Sequence, residues 1–232
     1  MLKFLWRWTW RIIALAAGAV LLYHLWVLGH IWYWIDHNPG SSAFMDARRE
    51  VLLAQDPRAR LKQGWVAYNR ISVHLKRAIV AAEDAKFVDH EGFDWDGIQK
   101  AMEKNIKQGR IVAGGSTISQ QLAKNLFLSG VRTPWRKAEE TVITLMLERM
   151  MSKRRILEIY LNVIEWGYGV FGAEAAAQHY FGTTASALTP QQAAWLAAIV
   201  PNPRFYDRNR SAPGAAKKTA TILSRMNSAQ LP

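Results

Sequence analysis

The feature that most constrains this chain is an apolar stretch near its N-terminus. It runs for 24 residues, from Ile12 to Ile35, without a Lys, Arg, Asp or Glu. A helix of about 20 apolar residues spans the hydrocarbon core of a membrane, and amphipathic aromatic rings favour its two edges. The flanking aromatic residues are Trp6, Trp8 and Trp10 on one side and Trp32, Tyr33 and Trp34 on the other. The stretch therefore predicts one transmembrane helix.

Charges next to this stretch predict its orientation. Lys3, Arg7 and Arg11 precede it, and the first acidic residue of the chain is Asp36. Because basic residues stay on the cytoplasmic side, residues 1–11 should be cytoplasmic and the rest of the chain outside. A cleaved signal peptide is the alternative, but the run is too long and ends in bulky aromatic residues.

Composition narrows the class of the remaining chain. The sequence has no cysteine, which excludes disulfides, thiolate metal sites and cysteine nucleophiles. Its net charge of +12 favours anionic partners. Residues 36–48 are rich in turn formers and are predicted to be a linker, so 49–232 is expected to form one exported domain. For an exported domain we expect no nucleic-acid partner.

Helical periodicity dominates this domain, and alternating strand patterns are nearly absent. The sequence predicts an all-α or mainly α class. Thr133 followed by Pro134 predicts a helix start, and the apolar run from Val142 to Leu147 predicts that this helix is buried. The predicted helices are 60–89, 96–108, 117–128, 134–151, 153–163, 172–181, 190–199 and 213–228.

The stretch AAEDAKFVDHEGF, residues 81–93, places Glu83 and Asp84 after an apolar run at a predicted helix end. The negative end of the helix dipole and apolar neighbours both raise the pKa of a carboxyl, which suits a general base. The open alternative is an exposed helix end with a Glu83–Lys86 pair. His90 by itself is more typical of a turn than of a catalyst.

The stretch GGSTISQQLAKN, residues 114–125, allows two interpretations. Thr117 and Gln120 fit a capping box, which would be a purely structural helix start. The two glycines and free backbone N–H groups at such a start also suit an anion, and Lys124 would add a charge. The sequence leaves both interpretations open.

Two later stretches carry charge at helical spacing. In RTPWRKAEE, residues 132–140, Glu140 follows Arg136 and Lys137 closely enough to pair with them, either as an anion-handling site or as a solvated cluster. In KRRILEIYLN, residues 153–162, a basic triplet opens an amphipathic helix. By itself this segment is typical of a core helix with Tyr160 packed inward.

Together the four stretches resemble the peptidoglycan glycosyltransferases of glycosyltransferase family 51. EDAKFVDHEGF resembles the family pattern EDxxFxxHxG, and GGSTISQQLAKN matches the second motif without a departure. RKAEE fits RKxxE, and KRRILEIYLN fits KxxIxExYLN. Their order and spacing also agree, over roughly residues 45–210. The resemblance implies a lysozyme-like helical head lobe and a smaller, membrane-associated jaw lobe after the transmembrane helix.

The resemblance also implies roles for individual residues. Glu83 would be the general base, and Glu140 would assist departure of the leaving group. Residues implied to bind substrate or its diphosphate are Ser116, Gln121, Lys124, Arg132, Arg136 and Lys137. Motif members without a firm role are Asp84, Lys153, Glu158, Tyr160 and Asn162. A divalent cation, Mg²⁺ or Mn²⁺, near Glu140 is the one cofactor to consider.

The implied reaction joins lipid II units into a β-1,4 glycan with inversion and releases undecaprenyl diphosphate. Expected partners are lipid II, the lipid-linked glycan, membrane lipids and other cell-wall synthesis or division proteins. The expected location is the inner membrane, with the catalytic domain in the periplasm. No SxxK or KTG motif is present, which predicts an enzyme without a transpeptidase domain. The alternatives are a lysozyme-like lytic enzyme and a membrane-anchored scaffold.

Overall fold

A computed structural model of the chain describes residues 2–110, 114–128, 130–131 and 133–232. Two compact units divide the chain, Met1–Asn38 and Pro39–Pro232. The described residues are mainly helical, which confirms the predicted class. The helices are α1 Leu2–Tyr33, α2 Ala43–Gln55, α3 Val73–Glu83, α4 Trp95–Gln108, α5 Ile118–Phe127, α6 Pro134–Met150, α7 Lys153–Val163, α8 Ala173–Phe181, α9 Pro190–Ile199, α10 Pro203–Arg208 and α11 Pro213–Arg225. The strands are β1 Lys62–Gln63, β2 Glu165–Gly167 and β3 Val170–Phe171.

The first unit contains the helix that the apolar stretch predicts. Within α1, Trp6–Tyr33 is long and apolar enough to cross a membrane by length and composition. The helix starts well before Ile12, because Arg7, Arg11 and their neighbours include no helix breaker. This N-terminal apolar helix indicates a single membrane span.

Helix starts in the second unit follow local capping chemistry. A hydroxyl at the N-cap accepts a hydrogen bond from a backbone N–H of the first turn and satisfies one of its unpaired donors. Such N-caps are Ser42, Ser72, Thr117, Thr133, Ser152 and Thr189. The predicted starts near 117, 134, 153 and 190 are therefore confirmed to within one residue.

The predicted helix 60–89 is too long at both ends. Within it the α-helix covers only Val73–Glu83, which Ser72 caps, and a single 3-10 turn covers Tyr68–Arg70. The segment before α3 also bonds to α7, since the backbone N–H of Tyr68 donates to a carboxylate oxygen of Glu158 at 2.9 Å. Periodicity alone does not reveal such a distant partner.

The predicted linker 36–48 is shorter than its composition suggests. Its last six residues belong to α2, which begins at Ala43 behind the N-cap Ser42. Both Ser42 and Met45 are buried, so packing within the second unit holds this helix start. Composition did not reveal this helix, because turn-forming residues precede it.

Burial of α6 is one-sided, contrary to the prediction. Ile143 and Leu147 are fully buried, whereas Val142 is 40% exposed and Leu145 is 52% exposed. Because α5 and α7 pack on one face of α6, the opposite face keeps its apolar residues at the surface.

Long-range packing then assembles the second unit. β3 pairs in parallel with β1 and antiparallel with β2, in the order β1-β3-β2. The helix α3 packs against α9 and α11, and α5 packs against α6 and α7. The buried side chains of Ile79, Ile118 and Tyr160 belong to α3, α5 and α7. This arrangement brings the end of α3 next to the side chains of α5 and α7.

Candidate active site

Glu83 is the last residue of α3, and it is half-buried. The helix ends there because Asp84 leaves the helical conformation, with φ −162° and ψ 76°, although its backbone N–H still donates to the carbonyl of Val80. Its carboxylate oxygen Oε2 accepts a hydrogen bond of 2.8 Å from the Gln121 amide nitrogen. Burial raises the pKa of the Glu83 carboxyl, and the Gln121 hydrogen bond and the charges of Lys218 and Lys124 oppose that shift. A dehydrated carboxylate of this kind is a stronger base than an exposed one.

Asp84 has a different task from its neighbour. It is buried, and its carboxylate accepts hydrogen bonds from His90 Nε2 at 2.9 Å and from the backbone N–H of Ile118 at 3.0 Å. The backbone N–H of Gly92 donates to His90 Nδ1, so the network assigns the imidazole proton to Nε2. Asp84 and His90 therefore attach the turn after α3 to the start of α5.

The structure confirms the capping box at the start of α5. The Thr117 hydroxyl accepts from the Gln120 backbone N–H, and the Gln120 side chain accepts from the Thr117 backbone N–H. The next donor, the Ile118 N–H, binds Asp84. These three donors are consumed within the protein, so the capping interpretation is correct here. An anion near this helix would meet side chains, not these backbone groups.

The side chain of Gln121 connects three helices. Its amide nitrogen donates to Glu83, and its amide oxygen accepts a hydrogen bond of 2.9 Å from the Tyr160 hydroxyl on α7. Tyr160 is fully buried. Burial, together with the negative charges of Glu83 and Asp84, raises the pKa of the Tyr160 hydroxyl well above its ordinary value. Tyr160 therefore remains a proton donor to the amide.

The second predicted glutamate lies on α6. Thr133 caps this helix and Pro134 occupies its first position, as the sequence predicts. Glu140 is only 3% exposed, and its two carboxylate oxygens contact Arg136 at 2.9 Å and the ammonium group of Lys137. The spacings of four and three residues put these side chains on one face of the helix.

One cavity of about 790 Å³ collects most of the predicted binding residues. It lies between α5, α6 and α7 and the segment that leads into α10. Predicted residues on its wall are Ser116, Gln121, Lys124, Arg136, Lys137, Glu140 and Tyr160. Glu83 borders a smaller adjoining cavity of about 170 Å³, which shares Ser116 with the larger one. Gln121 therefore joins the carboxylate of Glu83 to the cationic cavity.

Three other predicted residues make contacts inside the fold. Lys153 binds Glu148 at 2.7 Å, and Glu158 accepts from the backbone N–H of Tyr68 at 2.9 Å. The buried Asn162 accepts from the backbone N–H of Val66 and donates to its carbonyl. These contacts attach α7 to its surroundings. Arg132 lies outside the described residues.

The cavity also contains residues that sequence reasoning missed. They come from distant segments and include Phe44, Glu165, Asn202 and Arg204. The ring of Phe44 lies 5.9 Å from the ammonium group of Lys124. Lys218, on α11, acts on Glu83 through its charge. No local signal marks these residues, because only packing of separate helices brings them to the site.

The donor groups around Glu140 do not suit a divalent cation. Its two oxygens contact cationic side chains, whereas Mg²⁺ prefers oxygen ligands, water and substrate phosphates. Among the residues that the structure describes, no group of three His, Asp or Glu side chains could hold a metal ion. The contacts of Glu140 with Arg136 and Lys137 therefore do not form a metal site.

Comparison with known proteins identifies the family of this chain. The transglycosylase family model matches residues 49–227. The chain is 67% identical to the biosynthetic peptidoglycan transglycosylase of Methylobacillus flagellatus, over 96% of this chain and 97% of the relative. It is 64% identical to the protein of that name from Chromobacterium violaceum, over 97% and 99% of the two chains. It is 62% identical to the one from Dechloromonas aromatica over the full length of both.

A match of this extent defines the class: the chain belongs to the transglycosylase family. The relatives are short proteins that it covers almost from end to end, so it is an enzyme of the monofunctional biosynthetic kind. This confirms the assignment that the order of the four motifs predicts.

Proposed function

We propose that this enzyme joins lipid II units into linear peptidoglycan glycan strands by inverting glycosyl transfer. The observation that carries the proposal is a half-buried carboxylate, Glu83, held beside a cavity with four cationic side chains, Lys124, Arg136, Lys137 and Arg204. One neutral side chain, Gln121, links the two. Such a cavity suits a diphosphate, and the carboxylate suits removal of a proton from a sugar hydroxyl.

Glu83 starts the reaction as general base. It removes the proton from the 4-hydroxyl of the acceptor sugar, and that oxygen attacks the anomeric carbon of the lipid-linked donor. The bond between this carbon and the diphosphate oxygen breaks on the opposite face, so an α-diphosphate gives a β-1,4 linkage. Undecaprenyl diphosphate leaves with the bonding electrons. The raised pKa of Glu83 strengthens the base at the pH where the enzyme works.

Cationic side chains stabilise the departing diphosphate. Its charge grows toward the transition state, so fixed cations lower the barrier most at that point. Lys124, Arg136 and Lys137 line the cavity, and the resemblance adds Arg132. Glu140 supports departure through its neighbours, since its contacts hold Arg136 and Lys137 in place before substrate arrives.

The apolar helix α1 supports a location at the membrane. We infer that it is a single anchor in the inner membrane, with the N-terminus in the cytoplasm and the catalytic unit in the periplasm. A tether keeps the enzyme in the plane of its lipid-linked substrate and raises the effective concentration of both. The net charge of +12 favours anionic headgroups. From the family we also expect a head lobe and a jaw lobe, and partners among the proteins of cell-wall synthesis.

The decisive experiment incubates the purified protein with labelled lipid II in detergent or vesicles, with and without Mg²⁺, and measures the length of the product. We expect long glycan strands. Glu83→Gln should abolish polymerisation, whereas Glu91→Gln, an exposed glutamate eight residues further on, should leave it unchanged. Shortened fragments from finished peptidoglycan would identify a lytic enzyme, and turnover by Glu83→Gln at the wild-type rate would overturn the assignment of the base.

A further inference from the structure

The two hydrogen bonds of the Gln121 side chain form a chain that ends at the base. The Tyr160 hydroxyl donates to the amide oxygen at 2.9 Å, and the amide nitrogen donates to Glu83 Oε2 at 2.8 Å. We propose that Tyr160 and Gln121 are positioning residues, which hold Glu83 in one orientation and keep it ionised. The proposal rests on the role of Glu83 as general base.

The chemistry of the three groups permits only one order of donors and acceptors in this hydrogen-bond chain. An ionised carboxylate has no proton to donate, so the amide must present its nitrogen to Glu83. The amide oxygen then faces Tyr160, which must donate. Because the Tyr160 hydroxyl remains protonated, it selects this orientation of the amide. Without that hydroxyl, the amide could turn its oxygen toward Glu83.

Helix packing makes this hydrogen-bond chain rigid. Tyr160 is fully buried on α7, and α7 packs against α5, which carries Gln121. On the same helix, Asn125 donates to the backbone carbonyl of Gln121 at 2.7 Å. The Tyr160 hydroxyl therefore cannot leave the amide without disturbing the packing of two helices. A base positioned in this way loses little freedom when the acceptor sugar arrives.

The charges around Glu83 determine how strongly it depends on this hydrogen bond. Lys218 and Lys124 lower its pKa, and Asp84 raises it. Lys217 and Arg225 border a neighbouring cavity that Glu83 also lines. The cations only partly offset burial, since the pKa of Glu83 remains raised. The Gln121 amide is the direct donor that favours the ionised form.

The test removes one oxygen atom with Tyr160→Phe and follows polymerisation of lipid II against pH. We expect kcat to fall by about 10- to 100-fold with an unchanged KM, because the base is misoriented but the cavity is intact. The acidic limb of the kcat profile should move to higher pH, because the turned amide favours the protonated carboxyl. Tyr180→Phe is the matched control, since that hydroxyl donates to the Trp166 carbonyl at 2.8 Å. The Tyr180→Phe variant should change neither kcat nor the acidic limb of its pH profile.

A second variant separates positioning from stability. Gln121→Met removes the amide at nearly constant volume and should move the acidic limb in the same direction. Adding Tyr160→Phe to Gln121→Met should not shift the acidic limb further, since the hydrogen-bond chain is already broken. A Tyr160→Phe enzyme that is less stable but keeps the wild-type acidic limb would overturn the proposal. Failure of the base assignment is distinguishable, because it would appear as activity in Glu83→Gln.

Discussion

Two glutamates of the candidate active site have opposite surroundings. Glu83 ends α3 and accepts a hydrogen bond from the neutral amide of Gln121. Glu140 lies in the second turn of α6 and contacts two cationic side chains, Arg136 and Lys137. Burial raises the pKa of Glu83, which suits proton removal. The comparison teaches that the neighbours of a carboxylate, and not its place in a motif, determine its chemistry.

The largest expected effect is on turnover in Glu83→Gln. We expect polymerisation to fall by about 100-fold or more, the usual contribution of a general base. Stability should not fall. Because burial raises the pKa of Glu83, the folded chain binds its proton more tightly than the unfolded chain does, and the ionised form costs stability at neutral pH.

Thermal unfolding measured across pH checks this sign. For the wild type, the Glu83 contribution to stability should increase as pH falls through the folded pKa toward the ordinary value of 4.5. Glu83→Gln should lose that dependence and unfold at the same or a higher temperature at pH 7. A clear loss of stability at pH 7 would show that the carboxylate serves the fold.

Unlike Glu83→Gln, Glu140→Gln should reduce the stability of the fold. It leaves Arg136 without its anionic partner in a mostly buried place, where the side chain is 15% exposed. We expect a loss of about 1–3 kcal/mol in the free energy of unfolding, measured with denaturant at neutral pH. Glu139→Gln, which alters the adjacent acid, is the control. Equal stability of Glu140→Gln and the wild type would contradict the contrast between the two glutamates.

Lys124→Ala tests the cationic side of the comparison. Lys124 is half-buried on the cavity wall, and its loss should reduce kcat/KM for lipid II by about tenfold or more. The free energy of unfolding should change much less than this. Lys104→Ala, on the exposed face of α4, provides the control for general charge. An equal loss of activity and stability would favour a structural role at the start of α5.

The smallest expected effect concerns Lys218. Its charge lowers the pKa of Glu83 from across the packed helices α3 and α11. Lys218→Ala should therefore move the acidic limb of kcat to slightly higher pH, with less than about a tenfold change at neutral pH. The shift should shrink at high salt, because Lys218 is exposed and its charge is screened. A limb that moves to lower pH would contradict the direction of this interaction.

Local chemistry accounts for what the sequence predicts well. Each helix start near 117, 134, 153 and 190 carries a hydroxyl N-cap, and the capping hydrogen bond forms within the first turn of the helix. The pairing of Glu140 with Arg136 and Lys137 also follows from spacing on one helix. The length of the apolar stretch in α1 is likewise a local property.

Partners distant in sequence explain the errors. The predicted helix 60–89 shrinks to Val73–Glu83, since the segment before it bonds to α7. The apolar face of α6 that contains Leu145 stays exposed, because periodicity does not reveal which face finds a neighbour. The helix α2 begins inside the predicted linker for the same reason, as burial of Met45 holds its start.

By itself the sequence determined the mainly α class, the membrane-spanning length of α1, the family and several of the polar residues that line the cavity. Only the tertiary structure decided what each of them contacts. It assigned Asp84 to the start of α5, joined Gln121 to both Glu83 and Tyr160, and brought the charge of Lys218 close enough to act on Glu83. The physical reason is the separation in sequence between partners. Caps and helical pairs form within a few residues, whereas the pKa of a buried carboxyl depends on helices far away in the chain.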